Sequence, residues 1–578
     1  MGSTNQIIED VLLRSNIVAA KDLEKFTKEA KDKKIPLVDH LISKKVVTEE
    51  MLYENLANHL KLPFINLRNQ TVRRDILFLI PEPIAQTHHI VAFDKTEGAL
   101  KVATSEPGDI EIMEFLQKKV GLVIEEYLTA PSSLRETLKQ YHKTLQAEFQ
   151  DIASFDEEKA PGIEKQELSK LAADIPVVRI VDTLLEYAIF EEASDIHIEP
   201  LEKEVEVRYR IDGILRHVMT LPKNALMGII ARIKILSNLK VDEHRLPQDG
   251  RFKIQTDDYK MSFRVSIIPT YDGEKIVLRL LNEKTQILSL SQLGFLPGPL
   301  EIVKKNITKP HGMFLVTGPT GSGKTTTLYT IINLLNTPGV NISTVEDPVE
   351  YRLQHINQSQ VNPKIGFTFA VGLRALIRQD PNIIMVGEIR DQETADIAIN
   401  AAMTGHLVLS TLHTNDAVGA IPRLLDMGAP SFLVSSTLIV IVAQRLVRKI
   451  CLGCIESYNM DKETMNEVKK YFDIKKIMRV LAREKIIMDE NQKFESLLFY
   501  RGKGCKQCGQ SGYKGRIGIY EVLEVTEPLQ ELINRKATVQ EIEKYANEQG
   551  MLTISEDGFV KAKNGITTIE EVIRVSQE

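Results

Sequence analysis

Residues 313–335 read MFLVTGPTGSGKTTTLYTIINLL, and no other stretch restricts the fold of the chain as strongly. Met313 to Val316 fit a buried strand, G-x-x-x-x-G-K-T follows at once, and a run with helical apolar spacing comes after it. In such a strand–loop–helix, Gly318, Gly321 and Gly323 let backbone N–H groups curl around a phosphate at a helix N-terminus, where the dipole favours anions. Thr320, Ser322 and Thr326 complete the expected nucleotide-binding set. Lys324 is placed to neutralise β- and γ-phosphate oxygens, and the Thr325 hydroxyl to ligate Mg²⁺. A fortuitous glycine-rich turn would lack the flanking strand and helix.

A phosphate cradle alone does not separate motor, kinase, GTPase or helicase. No N-K-x-D is present, so the usual guanine-reading motif is missing. PNIIMVGEIRD supplies a second buried strand, Ile383 to Val386, ending in Gly387 and Glu388, a carboxylate suited to the water shell of Mg²⁺. STVEDPVEY places Glu346, Asp347 and Glu350 at the end of a third strand, and one of them is a candidate base or water-orienting group. GHLVLSTLHTND adds His406 and His413 on either side of a fourth strand, where an imidazole can sense a γ-phosphate. Taken singly, each carboxylate is most simply a solvated charge or a cap. Their recurrence at strand ends favours one shared site, because open α/β sheets bind ligands there.

At 578 residues the chain exceeds what one core usually supports, and three to five domains are expected from about 150 residues apiece. With 43% hydrophobic and 26% charged residues it has an ordinary globular composition. A net charge of −6 and a pI near 6.1 argue against a protein that sheathes nucleic-acid backbones. Its most apolar stretch, Leu438 to Ala443, is far shorter than a membrane span, and MGSTNQIIED has no secretory-signal pattern, so a cytoplasmic protein is expected.

DVLLRSNIVAAKDL from Asp10 and DHLISKKVVTEEML from Asp39 repeat at an offset of 29 residues and read as helix–turn–helix. Leu12, Leu13, Ile17 and Val18 in one copy match Leu41, Ile42, Val46 and Val47 in the other, and both sets should face a core. The expected organisation is a helical repeat domain (1–66), a small α+β domain (67–142), an acid-rich linker (143–170), a larger α+β domain (171–295) and an α/β domain (296–578).

The four cysteines form two pairs, CLGC (Cys451, Cys454) and GCKQCG (Cys505, Cys508), separated by the 50 residues 455–504. Four thiolates would fill a tetrahedral Zn²⁺ shell and leave no position for a catalytic water. A structural zinc anchoring an insertion, 451–512, is the favoured reading, and a redox couple is the alternative.

The phosphate motif, EDPVE, VGEIRD and TGHLVLSTLHTNDA, in this order, resemble the secretion ATPases of the PilB/GspE family, which drive type IV pilus assembly and type II secretion. The likeness extends through ASDIHIEP, VRYRIDGIL and LPQDGR upstream, and GRIGIYE and GMLTISEDGFVKAKNG downstream, covering nearly everything from Ile175 onward. It implies a RecA-like P-loop domain in a homo-hexameric ring that hydrolyses ATP with Mg²⁺ and docks on a polytopic inner-membrane platform protein. By motif match it assigns Glu350 to water activation, Glu388 to the Walker-B carboxylate, His413 to γ-phosphate sensing, and Arg264 and Arg279 to arginine fingers. Without the family match, both arginines read as solvated strand residues.

Some relatives bind cyclic di-GMP through a repeat opening with Arg-Leu-Gly. Here Glu9 and Val38 occupy the glycine positions, so the repeat is expected to dock a partner and not this dinucleotide. Retraction motors of the superfamily resemble only the last two domains and lack the cysteine pairs, which favours assembly over retraction. The remaining alternatives are a nucleotide-gated scaffold without turnover and a nucleic-acid translocase, the latter disfavoured by the acidic pI.

Overall fold

The computed structural model describes residues 20–32, 37–44, 46–68, 70–96, 98–150, 175–255, 260–282 and 288–577. They fall into two units, Met1–Leu280 and Leu281–Glu578.

In the first unit, helices Ala20–Asp32, Leu37–Ser43 and Glu49–Leu60 close a small core of Ala30, Leu37, Leu41, Val47 and Leu52. Ile42 and Val46 pack against it, so the second repeat copy faces a core as its spacing requires. Glu9 and the first copy's Leu12, Leu13, Ile17 and Val18 lie outside the described residues. A three-stranded sheet follows, β1 (Ile90–Lys95), β2 (Ala99–Thr104) and β3 (Val123–Leu128), with β1 antiparallel and β3 parallel to β2. Helix Pro131–Gln150 continues past residue 143, where the linker is expected to start.

The larger α+β part opens with helix Ile175–Phe190 and builds a six-stranded sheet from β4 (Asp195–Pro200), β5 (Glu204–Ile211), β6 (Ile214–Pro222), β7 (Gln248–Gln255), β8 (Lys260–Thr270) and β9 (Gly273–Asn282), in the order β6-β5-β4-β9-β8-β7. Strict alternation divides its faces. Ile196, Ile198, Val207, Tyr209, Ile276 and Leu278 fill one face, whereas Asp195, His197, Glu199, Arg208, Lys275 and Arg279 alternate with them and pair with one another.

The second unit is an α/β layer structure. Its strands are β10 (Gly312–Thr317), β11 (Ile342–Glu346), β12 (Asn357–Gln360), β13 (Ile383–Val386), β14 (Leu407–Leu412), β15 (Leu438–Ile450), β16 (Ile455–Asn459), β17 (Leu498–Gly502) and β18 (Tyr513–Glu524). Seven of them form one sheet in the order β12-β11-β13-β14-β10-β15-β18, parallel throughout except for the antiparallel β18. The central strands are apolar at successive positions because helices cover both faces. Met313 and Leu315 enter one core, and Phe314 and Val316 enter the other.

Between β15 and β18 the chain leaves the sheet as an antiparallel β16–β17 pair carrying helices Lys462–Tyr471 and Ile474–Arg483. Their core, with Val468, Leu481, Phe494 and Phe499, is completed by Phe559, Ile569 and Val572 of the two C-terminal helices, Ile554–Lys563 and Ile569–Gln577. Among the described residues no helix is long and apolar enough to cross a membrane.

Candidate active site and cysteine cluster

Parallel pairing brings the carboxyl ends of β10, β11, β13 and β14 to one edge of the sheet. Gly318, Gly387 and His413 each begin the loop that follows β10, β13 or β14. The expected phosphate loop therefore lies at the edge where such sheets bind ligands.

The loop can hold an anion for local reasons. At Gly318 φ is +141°, and a Cβ there would stand 2.4 Å from the Gln444 carbonyl oxygen, so any side chain would force the loop away from β15. Gly323 takes the N-cap of helix Lys324–Leu335 with φ +88° and makes no side-chain cap, leaving the first-turn N–H groups free of a capping side chain. Ser322 Oγ is buried without a hydrogen-bond partner among the described residues. Thr320, Gly321 and Thr326 are exposed and Thr325 is half-buried. These groups suit a nucleotide phosphate, with the Thr325 hydroxyl and the Glu388 carboxylate the groups available to hold Mg²⁺ or its water shell.

Lys324 Nζ donates to the carbonyls of Gly318 and Pro319 at 2.8 and 2.9 Å. Burial lowers its pKa to about 8, with Glu388 pulling upward and Arg445 pushing further down.

Glu388 is mostly buried and stands between Arg390 Nη2 at 2.5 Å and His413 Nε2 at 3.3 Å, the latter an ion pair only when the imidazole is protonated. His413 is half exposed, whereas His406 spends Nδ1 on the Ala401 carbonyl at the end of helix Gln392–Met403, 2.9 Å away. The two histidines flanking β14 thus separate, one facing the edge and the other anchoring a helix end.

The three acidic candidates after β11 also separate. Glu346 is buried and saturated: Tyr329 and Thr344 donate their hydroxyls and Gln358 its amide to the carboxylate, and burial raises its pKa. It stitches β11 to the helix behind the phosphate loop. Asp347 is exposed, and Glu350 is half-buried with its backbone hydrogen-bonded to Tyr329 of that helix. Arg264 is exposed on β8, and Arg279, also exposed, holds Asp195 on β4 at 3.1 Å. Both belong to the first unit.

Four side chains here were not singled out from sequence. Arg390 lies two residues beyond Glu388, within the VGEIRD motif itself. Gln444 follows Ala443, the register partner of Thr317 at the end of β10, and donates to the Ser322 carbonyl at 2.6 Å. Arg445 is buried beside it and reaches Asn415 at 3.4 Å. The signal was the dipeptide Gln-Arg interrupting the apolar run IVIVAQRLV, since a polar pair in a buried strand needs buried partners. Glu521 on β18, raised to about 7 by burial, accepts the Ala417 N–H at 2.9 Å and so fixes the loop that follows His413.

The four cysteine sulfurs lie within 4.8 Å of one another, with Cys451–Cys505 and Cys505–Cys508 at 3.7 Å and Cys454–Cys508 at 3.9 Å. A tetrahedral site with Zn–S bonds of about 2.3 Å requires S···S separations of about 3.8 Å. Against burial, which would raise its thiol, Cys508 is drawn down to about 7 by the N–H groups of Cys505 and Gly512, each 3.2 Å from the sulfur. The cluster stands where the chain leaves β15 and returns to β18, and the Cys451 N–H donates to the Gly512 carbonyl at 2.9 Å. Donor set and spacing fit zinc.

Residues 170–574 match the model for the type II/IV secretion system protein family, and residues 60–148 match the MshEN domain. The type IV pilus assembly ATPase PilB of Myxococcus xanthus (strain DK1622) is 39% identical over 573 residues, 98% of this chain and 98% of that protein. The type II secretion system ATPase E of Vibrio cholerae is 44% identical over 440 residues, 76% of this chain and 82% of its own. Among solved structures, the Legionella pneumophila ATPase DotB aligns over 69% of this chain and 95% of its own, with 21% identity and a TM-score of 0.49. The chain belongs to the type II/IV secretion system protein family.

Proposed function

We propose that the chain is a homo-hexameric motor whose ATP hydrolysis powers assembly of a type IV pilus or a type II secretion pseudopilus through an inner-membrane platform protein. It is an ATP hydrolase of the pilus-assembly and type II secretion kind. The observation that carries the reading is the convergence, at one sheet edge, of the phosphate loop with Glu388 and His413, paired at 3.3 Å.

In this reading the seven-stranded domain is RecA-like. The loop from Gly318 through Thr326 takes the phosphates, and Lys324 neutralises the β/γ oxygens. Thr325 and Glu388 hold Mg²⁺ and its water shell, and the ion, when bound, screens the charge that develops on the phosphates. Glu350 orients the attacking water, His413 senses the γ-phosphate, and Arg264 and Arg279 stabilise the transferred phosphoryl. Residues 171–295 and 296–578 form the moving parts, the linker 143–170 tethers the accessory domains, and the helical repeat docks a partner, with cyclic di-GMP binding disfavoured. The motor works from the cytoplasm, peripheral to the inner membrane, and binds no nucleic acid. Four cysteines holding zinc favour assembly over retraction.

The test is steady-state ATP hydrolysis by wild type and Glu350→Gln, alone and with the platform protein's cytoplasmic domain. The motor reading expects turnover that rises with the platform and is lost in the variant. Wild type inactive under both conditions would leave a nucleotide-gated scaffold as the better account.

A further inference from the structure

Three buried side chains of the second unit, none assigned to the chemistry, form a continuous set behind the phosphate loop. Gln444, Thr327 and Tyr520 are each no more than 2% exposed. Gln444 Nε2 donates to the Ser322 carbonyl at 2.6 Å, and its Oε1 accepts the Thr327 hydroxyl at 2.7 Å. The Tyr520 oxygen is an alternative acceptor for the single Thr327 hydroxyl proton. Tyr520 is the register partner of Gln444 across β15 and β18, and its hydroxyl donates to the Leu293 carbonyl at 3.1 Å. Its ring stacks on Phe295, with centroids 3.7 Å apart.

The far end of this set is a defined place in the chain. Leu293 closes the short helix Leu290–Leu293, which follows the boundary between the two units at Leu280. Gly294 ends that helix at φ +109°, and a Cβ there would stand 2.8 Å from the Gly518 carbonyl oxygen, so the helix end is seated directly on β18. Polar groups this deeply buried are costly to leave unpaired, so a shift of the Ser322 carbonyl must be followed by Gln444 and its partners or must break the set.

We infer that Gln444, Thr327 and Tyr520 form a positioning relay that sets the shape of the phosphate loop and ties it to helix Leu290–Leu293. The inference rests on the reading that this loop binds nucleotide. It adds a route by which the occupancy of the loop reaches helix Leu290–Leu293.

Hydrogen exchange on the full-length protein, with and without Mg-ADP, tests it. In wild type the nucleotide is expected to protect both 318–327 and 288–297. Tyr520→Phe keeps the stack on Phe295 but loses the hydroxyl, so protection of 288–297 should disappear while that of 318–327 persists. Gln444→Glu is nearly isosteric but cannot donate to the Ser322 carbonyl, so Mg-ADP should bind about tenfold more weakly. Gln444→Leu should change affinity in the same direction, and unaltered melting of either variant excludes misfolding. Wild-type binding with both segments protected equally in Tyr520→Phe, or with unchanged affinity in Gln444→Glu, overturns the relay alone. Failure of wild type to bind Mg-ADP overturns the nucleotide reading and the relay with it.

Discussion

Nε2 of His413 lies 3.3 Å from Oε2 of Glu388, across the gap between the adjacent parallel strands β13 and β14. The other carboxylate oxygen is held by Arg390 at 2.5 Å. A carboxylate held between the Arg390 guanidinium and the His413 imidazole at the phosphate edge is placed to act on the hydrolytic step and much less on ground-state binding. Glu388→Gln should therefore lower kcat by about 10²-fold, the scale of losing one preorganised electrostatic partner. Mg-ADP affinity should stay within severalfold. Phosphate-release kinetics and fluorescent-nucleotide titration measure the two, and a variant that loses affinity while keeping kcat would contradict the assignment.

Lys324 predicts a pH dependence of binding. Burial holds its pKa at about 8 in the free protein, and a bound phosphate favours the charged amine. Nucleotide binding should therefore take up a proton above pH 8, and apparent affinity should fall as pH rises from 8 toward the ordinary lysine value near 10.4. Titration calorimetry at pH 8.5 in two buffers of different ionisation enthalpy would detect the uptake. Lys324→Arg, whose guanidinium stays charged, should show none.

The strands of the second unit were readable because burial on both faces leaves unbroken apolar runs such as IIMV and LVLSTL. Glycine spacing and the carboxylate after β13 were readable because phosphate chemistry demands both. What local pattern could not reveal was contact between distant positions. Gln444 and Ser322 are 122 residues apart and meet only because β15 pairs with β10. Equally, EDPVE does not say which acid turns inward. Glu346 does so because it is the last residue of a strand whose partner helix offers Tyr329, while Glu350 lies beyond that strand. The antiparallel return of β18 was hidden for the same reason, since YKGRIGIYEVLE carries no mark of direction.

The buried carboxylate of Glu571 ties the C-terminal helix to β15. Burial would raise its pKa, but Arg574, Arg448 and the Arg448 N–H, at 2.6–3.0 Å, hold it near 2. Because the folded value lies below the unfolded one, its contribution is complete above about pH 4.3 and is lost as pH falls toward 2. Glu571→Gln leaves Arg448 without its counter-charge. It should cost about 3 kcal/mol, the low end for a broken buried pair because Arg574 remains 38% exposed. Denaturant unfolding at pH 7 should show the loss, and the difference between variant and wild type should shrink below pH 4.

The cysteine cluster gives the last prediction. The core of residues 451–512 is completed by Phe559, Ile569 and Val572 from the C-terminal helices, so this excursion is held by packing at one end and by four sulfurs at the other. Elemental analysis should find close to one zinc per chain. Chelation or Cys451→Ser should lower the melting temperature by several degrees, at about 2–4 °C per kcal/mol for a unit of this size. Hydrogen exchange should rise in β16 and β17, whereas Mg-ADP protection of the phosphate loop should survive, because that loop is held by β10, β14 and Gln444 and not by the cysteines. Absence of zinc together with loss of all four free thiols under denaturing conditions would instead identify two disulfides, and the redox reading would replace the structural one.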